Sequence, residues 1–502
     1  MGYLLGYDIG SSSIKATLID SDNGQVLAAA TSPQQELEIN APQSGWAEQD
    51  PEIWWKHVKL STNHILSVAQ IDVSDIKAIG LSYQMHGLVL VDKKLQVLRP
   101  SIIWCDSRAV EIGNKAFLDI GPETCLYQLL NSPGNFTASK LKWVMENEPE
   151  IYKKAYKAML PGDYIAMKMT GTVNITPSGL SEGIFWNFQD DKIAELILDY
   201  YKISPDLIPD IVPTFSVQGE LSSEAAQELG LTPGTKISYR AGDQPNNAFS
   251  LNVLRPGEAA TTAGTSGVIY GVIDKPAYDH RSRVNTFIHV NHNQNNPSYG
   301  VLLCINGCGI LYSWLKNKLL STDIDSIRYK QMDDYASMSP AGSKGLFIFP
   351  FGNGAERTLE NQNIGAIIQN LDFNIHDKSH LLRASQEGII FTFKYGLEIM
   401  NEMGLQISTI KAGKTNQFSS SLFRKIFSTV TGTKLELYNT DGSQGAARGA
   451  GLGAGIFKTS KDAFTGLKAD SVIEPDTSLS GLYRDIYNDW VSILKKHLSR
   501  KC

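Results

Sequence analysis

The sequence predicts an α/β fold in two domains, and three observations carry that expectation. Runs alternating apolar and polar residues recur between longer runs with apolar positions three and four apart, throughout the chain. At 502 residues the chain exceeds one ordinary core, and at about 100–200 residues per domain it divides into two large or three modest units. One type of turn also occurs twice. It is found in Gly6-Tyr7-Asp8-Ile9-Gly10-Ser11-Ser12-Ser13-Ile14-Lys15 and again, a domain's length later, in Ala263-Gly264-Thr265-Ser266-Gly267-Val268-Ile269-Tyr270.

The first turn lies between apolar Leu4-Leu5 and the alternating residues 14–20, which reads as strand, tight hairpin, strand. Asn23-Gly24 then turns the chain into a third strand at 25–30. Asp50-Pro51 opens a helix, with Trp54, Trp55, Val58 and Leu66 on its apolar face. Residues 76–82 form the next strand, ending in Gln84-Met85-His86-Gly87, and 88–91 lead into a hairpin. Leu231-Thr232-Pro233-Gly234 is a turn before a strand at 236–241, and 246–253 read as helix. The domain boundary is placed at 245/246, giving units 1–245 and 246–502. Beyond the second hairpin, 309–320, 381–403 and 483–498 read as helices. Small residues at Gly445, Ala446, Gly449, Ala450 and Gly453 let a helix approach a sheet closely.

Composition narrows the function. With 42% hydrophobic and 20% charged residues the chain fits the soluble globular class, and a net charge of −6 without a basic block argues against nucleic acid or an anionic membrane surface. No stretch reaches the ~18–20 unbroken apolar residues of a membrane span, and no charged-then-apolar leader opens the chain. A cytoplasmic protein acting on small molecules is the expectation. Five scattered cysteines (Cys105, Cys125, Cys304, Cys308, Cys502) suit reduced thiols. Cys304 with Cys308, which could share a helical face, and His289 with His292 each lack the second pair a structural zinc needs.

A tip of Gly and Ser or Thr lets backbone N–H groups and hydroxyls reach phosphate oxygens with no Cβ in the way, and Asp8 stands where a carboxylate can hold a hydrated Mg²⁺. Neither turn has the pattern of a P-loop or of a dinucleotide fold. Asp243 ends a strand after Gly242, and the residues alone leave open whether it is a helix cap or a catalytic carboxylate.

The motifs in chain order resemble the FGGY carbohydrate kinases and, within them, the xylulokinase branch. They are the Asp8 hairpin, Gly45-Trp46-Ala47-Glu48-Gln49-Asp50-Pro51, Gln84-Met85-His86-Gly87, Trp104-Cys105-Asp106-Ser107-Arg108, Lys140-Leu141-Lys142-Trp143, Gly242-Asp243-Gln244, Gly264-Thr265-Ser266, Glu356-Arg357-Thr358 and Asp441-Gly442. In the second family pattern, Asn370 stands where a glycine is usual and Gln386 replaces an apolar residue before Glu387.

The resemblance implies a two-domain actin and ribonuclease-H-like fold with the active site in the interdomain cleft. It also implies ATP-dependent transfer of phosphate to the terminal hydroxyl of D-xylulose, giving D-xylulose 5-phosphate and ADP. Asp243 becomes the base and Asp8 the Mg²⁺-linked aspartate. Met85, His86, Asp243 and Gln244 line the sugar site. Ser11, Ser12, Ser13, Lys15, Gly264 and Thr265 contact phosphates, while Gly309, Ala412, Gly413 and Asn416 lie on the nucleotide side. Trp104, Asp106 and Arg108 buttress the site. Expected partners are the sugar and ATP, with neither nucleic acid nor membrane, and a homodimer is admitted. The alternatives are a kinase for another ketose or a polyol such as ribulose or glycerol, a non-catalytic sensor, or an actin or chaperone-like ATPase.

Overall fold

The computed structural model of the protein describes residues 2–321 and 327–499; Cys502, one of the five thiols, lies outside the described residues. Two mixed sheets organise the chain. The first contains β1 (Tyr3–Ile9), β2 (Ile14–Asp20), β3 (Val26–Ser32), β4 (Ile76–Tyr83), β5 (Phe215–Glu220) and β6 (Lys236–Gly242), in the order β5-β6-β4-β1-β2-β3. The second contains β7 (Glu258–Ala263), β8 (Gly267–Ile273), β9 (Asn285–Ile288), β10 (Tyr299–Ile305), β11 (Thr409–Gly413), β12 (Lys434–Tyr438) and β13 (Ala469–Ile473), in the order β9-β10-β8-β7-β11-β12-β13.

The two sheets repeat one plan. In the first, β1 pairs antiparallel with β2 and parallel with β4, β2 continues to β3, and β4 continues in parallel to β6, which β5 flanks antiparallel. In the second, β7 pairs antiparallel with β8 and parallel with β11, β8 continues to β10, and β11 continues in parallel to β12, which β13 flanks antiparallel. Thus each Gly-rich hairpin is the central turn of its own sheet. The repeat differs at its edges. β9 is added beyond β10, and β13 follows its neighbour in sequence whereas β5 precedes its own.

Helix α1 (Pro51–Ala69) starts at Asp50, whose carboxylate accepts from Glu52 N, and it covers β2 and β3 with Trp54, Val58 and Ile65 fully buried. Helix α2 (Asp243–Ser250) leaves the end of β6, and α3 (Gly442–Gly453) lies across the first sheet although it follows a strand of the second. Its small residues permit that approach. A Cβ on Gly6 or Gly80 would strike the backbone of α3, and one on Gly449 would strike the Tyr239 ring.

The hairpin expected after 88–91 forms, since Val91 bridges Val97, Leu98 N donates to Leu90 O and Leu88 bridges Ile102, and Val89–Val91 also pairs with the more distant Lys157–Met159. Some local expectations are corrected. Cys304 is in β10 and Cys308 precedes a helix, so they share no helical face. Gly309–Trp314 is α-helical, but Leu315–Leu320 widens into a π-turn. Among the described residues, no helix is long and apolar enough to cross a membrane.

Candidate active site

The ends of β1, β4 and β6 and the start of α3 converge on two carboxylates. Asp8, near the end of β1, accepts a 2.8 Å bond from Ser82 Oγ on β4. Its other oxygen lies against Gly442, where a Cβ would come within 2.6 Å of Oδ2. Burial raises the Asp8 pKa and Asp441 adds to the rise, while Lys15 and Ser82 oppose it. Asp243 opens α2, and its pKa is pushed up to about 7, first by burial and then by the charge of Asp8. Two acids thus share one negative field, with Asp243 poised between its protonation states at neutral pH.

A third acid, Glu182, is a residue that sequence reasoning missed. It is fully buried, and a Cβ on Gly242 would strike its carboxylate. Burial and then the Asp243 charge push its pKa well above the ordinary carboxylate value. Its backbone carbonyl accepts from His86 Nδ1 at 2.9 Å. Ser181-Glu182-Gly183 has no motif-like spacing, so only the tertiary contacts reveal it.

His86 holds a left-handed backbone (φ 60°), and its ring packs edge-on to Phe136 with centroids 4.7 Å apart and beside Phe287 of β9 at 5.5 Å. Lys140, fully buried, donates to the carbonyls of His86 and Ile103 at 2.9 Å each and so ties two loops together. Met85 is buried beside Gly242, and Gln244 follows Asp243 with its Oε1 buried and unpartnered in the protein.

The expected buttress divides. Asp106 is fully buried and accepts from Arg108 and from Ala47 N, and the Arg108 guanidinium stacks 3.8 Å over Trp46. Trp104 is half exposed, with Nε1 donating to Ser11 Oγ at the first hairpin tip. Ser12 and Lys15 are exposed there, and Ser11 and Ser13 are half-buried.

The second tip borders a cavity of about 440 Å³ whose walls include Gly264, Thr265, Gly309, Tyr312, Asp333 and Asn416. Gly309 N and Ile310 N donate to the carbonyls of Gly264 and Thr265, so the helix start is bonded to the tip, and a Cβ on Gly309 would strike Gly264 O. The Asn416 amide lies 3.4 Å from the Cβ position of Gly264. Ala412 is fully buried in β11 and, with Gly413 at its end, stands outside this cavity lining.

Comparison with known proteins places this geometry. Residues 3–250 match the N-terminal domain, and residues 259–456 the C-terminal domain, of the FGGY family of carbohydrate kinases. The chain is 29% identical to a xylulose kinase of Bacillus subtilis over 472 residues, 91% of this chain and 90% of that one. Its fold matches crystal structures of xylulose kinase from Rhodospirillum rubrum (TM-score 0.86, 24% identity) and gluconate kinase from Lactobacillus acidophilus (TM-score 0.88, 22% identity), each over 98% or more of both chains. Two kinases named for different sugars fit equally well, so the fold alone does not choose the sugar.

Proposed function

The chain belongs to the FGGY family of carbohydrate kinases and is an ATP-dependent sugar kinase of the two-domain actin and ribonuclease-H-like fold; within that family, we propose that it phosphorylates the terminal hydroxyl of D-xylulose. The observation that carries this reading is the pairing of His86 with Asp243 through Glu182. The Glu182 carbonyl fixes the His86 tautomer, and the Glu182 carboxyl lies in the field of Asp243. A sugar between them meets two hydrogen-bond acceptors, suited to a polyhydroxylated chain whose terminal O–H points at Asp243. The xylulose kinases at 26–29% identity over most of the chain support the choice of sugar.

In this reading Asp243 accepts the proton of the terminal hydroxyl as its oxygen forms a bond to the γ-phosphorus and the bond to the β-phosphate oxygen breaks, releasing ADP. The proton then passes to solvent. Thr265 and Gly264 receive phosphates on one side and Ser11, Ser12, Ser13 and Lys15 on the other. Gly309, Ala412, Gly413 and Asn416 shape the nucleotide side, Met85 walls the sugar and Gln244 offers its amide to a hydroxyl. The domains are taken as 1–245 and 246–502, with α3 returned to the first sheet.

Asp8, with the charge of Asp441 added to its field and Lys15 opposing it, suits Mg²⁺, which is held largely through water by one or two carboxylates and substrate phosphates. Bound there, the ion supplies charge neutralisation on the transferring phosphate.

A coupled ADP-release assay over D-xylulose, D-ribulose, D-gluconate, glycerol and a pentitol tests the choice of sugar. D-xylulose is expected to give the highest kcat/KM, and a clear preference for another acceptor overturns it.

A further inference from the structure

At one side of the cavity beyond the second hairpin stands a carboxylate that phosphate binding does not use. Asp333 lines this wall with Tyr312 and Tyr329. Its Oδ1 accepts from Gln386 Nε2 at 2.7 Å and from Tyr312 OH at 3.3 Å, and Gln386 also donates to the Tyr312 hydroxyl at 3.0 Å. Gln386 and Tyr312 are buried, so Asp333 is anchored from behind while its half-buried side chain faces the cavity. The polar Gln386, in place of the apolar residue usual at that position, is thereby explained as the support of Asp333.

We propose that Asp333 reads the nucleobase, accepting a hydrogen bond from the exocyclic amine of adenine and disfavouring 6-oxopurines. The inference rests on the nucleotide reading of this cavity and extends it. The phosphate end is set by Gly264 and Thr265, near Asn416, whereas Asp333 lines the cavity together with Tyr312 and Tyr329, whose rings stack with centroids 6.2 Å apart and with Lys316 Nζ 4.8 Å over the Tyr329 ring. Adenine has one exocyclic donor, its amine, and a carboxylate offers about four lone-pair sites, of which Gln386 and Tyr312 use those on Oδ1 and the Ser420 hydroxyl a further one, leaving about one for the base. A 6-oxopurine puts a carbonyl oxygen where the amine would sit, so two acceptors face each other. Losing a hydrogen bond to a charged acceptor costs about 1.5–3 kcal/mol, roughly a 10- to 150-fold loss in affinity.

The test is equilibrium displacement of a fluorescent ATP analogue from the full chain by ADP, IDP and 2′-deoxy-ADP, which needs no sugar. ADP is expected to bind at least about 10-fold more tightly than IDP, with 2′-deoxy-ADP within about 3-fold of ADP. Asp333→Asn, whose amide can donate to a carbonyl oxygen, is expected to bring ADP and IDP within about 3-fold of each other. Equal binding of ADP and IDP by the unmodified protein overturns the inference while leaving the nucleotide site standing. A penalty confined to 2′-deoxy-ADP also overturns it, by assigning Asp333 to the ribose. Failure of all three to bind removes the nucleotide reading as well. Should Asp333→Asn not fold, the pattern in the unmodified protein still decides.

Discussion

His86 Nδ1 lies 2.9 Å from the carbonyl oxygen of Glu182, and since a carbonyl only accepts, that nitrogen carries the proton and Nε2 presents a lone pair. Burial, followed by Lys140 and Arg357, brings the ring's pKa down to about 3, so the imidazole is neutral near pH 7. His86→Ala is expected to raise KM for the sugar about 10-fold, the worth of one hydrogen bond, with KM for ATP changed less than about 2-fold. Steady-state kinetics varying each substrate checks this. A change confined to ATP would move His86 to the nucleotide side.

Asp243 gives the reaction a pH dependence of known sign. Its carboxyl must be deprotonated to accept the hydroxyl proton, and its pKa is about 7, so kcat/KM for the sugar should climb about tenfold per pH unit below 7 and level off above it. Stability runs the other way. The folded pKa exceeds the ordinary 3.8, so the native state holds the proton more tightly, and the stability this confers is complete below about pH 4 and lost as pH rises through 7. Asp243→Asn should therefore melt above the unmodified protein at pH 8 and converge with it near pH 4, which differential scanning calorimetry reads directly.

Gly442 leaves room for Asp8. An alanine Cβ there falls 2.6 Å from Oδ2 and 2.8 Å from Cγ of Asp8, closer than real contacts, so the carboxylate must move. Helix propensity favours alanine over glycine at such a site, so Gly442→Ala is expected to keep the fold while lowering kcat at least about 10-fold. Unchanged kcat in Gly442→Ala would detach the Asp8 position from catalysis.

Lys140→Met leaves the His86 carbonyl without its donor, at about 1–3 kcal/mol, removes one of the two donors to the Ile103 carbonyl, which keeps Asp106 N, and frees the His86 backbone. A lower Tm together with a raised sugar KM is expected. A lower Tm with an unchanged sugar KM would limit Lys140 to holding the fold.

Much of this was legible in the sequence because the informative features are local. Both hairpins stand where Gly and hydroxyl residues predicted turns, and Asp50-Pro51 opens its helix. What escaped depends on distant contacts. Glu182 is brought beneath Gly242 by packing alone, and α3 lies on the first sheet because Gly6 and Gly80, far away in sequence, leave space for it. Val89–Val91 reads as half a hairpin and forms one with residues 97–102, yet its second partner, Lys157–Met159, lies beyond residue 150 and leaves no local mark. Gln386 looked like a departure from pattern until its bonds to Asp333 and Tyr312 were visible.

The most direct measurement is identification of the product by ³¹P nuclear magnetic resonance after incubation with D-xylulose, ATP and Mg²⁺, comparing the unmodified protein with Asp243→Asn. The account predicts one sugar phosphate monoester on the terminal carbon, equimolar with ADP, and for Asp243→Asn a rate at least about 10²-fold lower with nucleotide binding retained. ADP formed without a sugar phosphate, phosphate at another carbon, or Asp243→Asn keeping more than about a tenth of the rate would contradict the assignment of Asp243 as the base that activates the terminal hydroxyl.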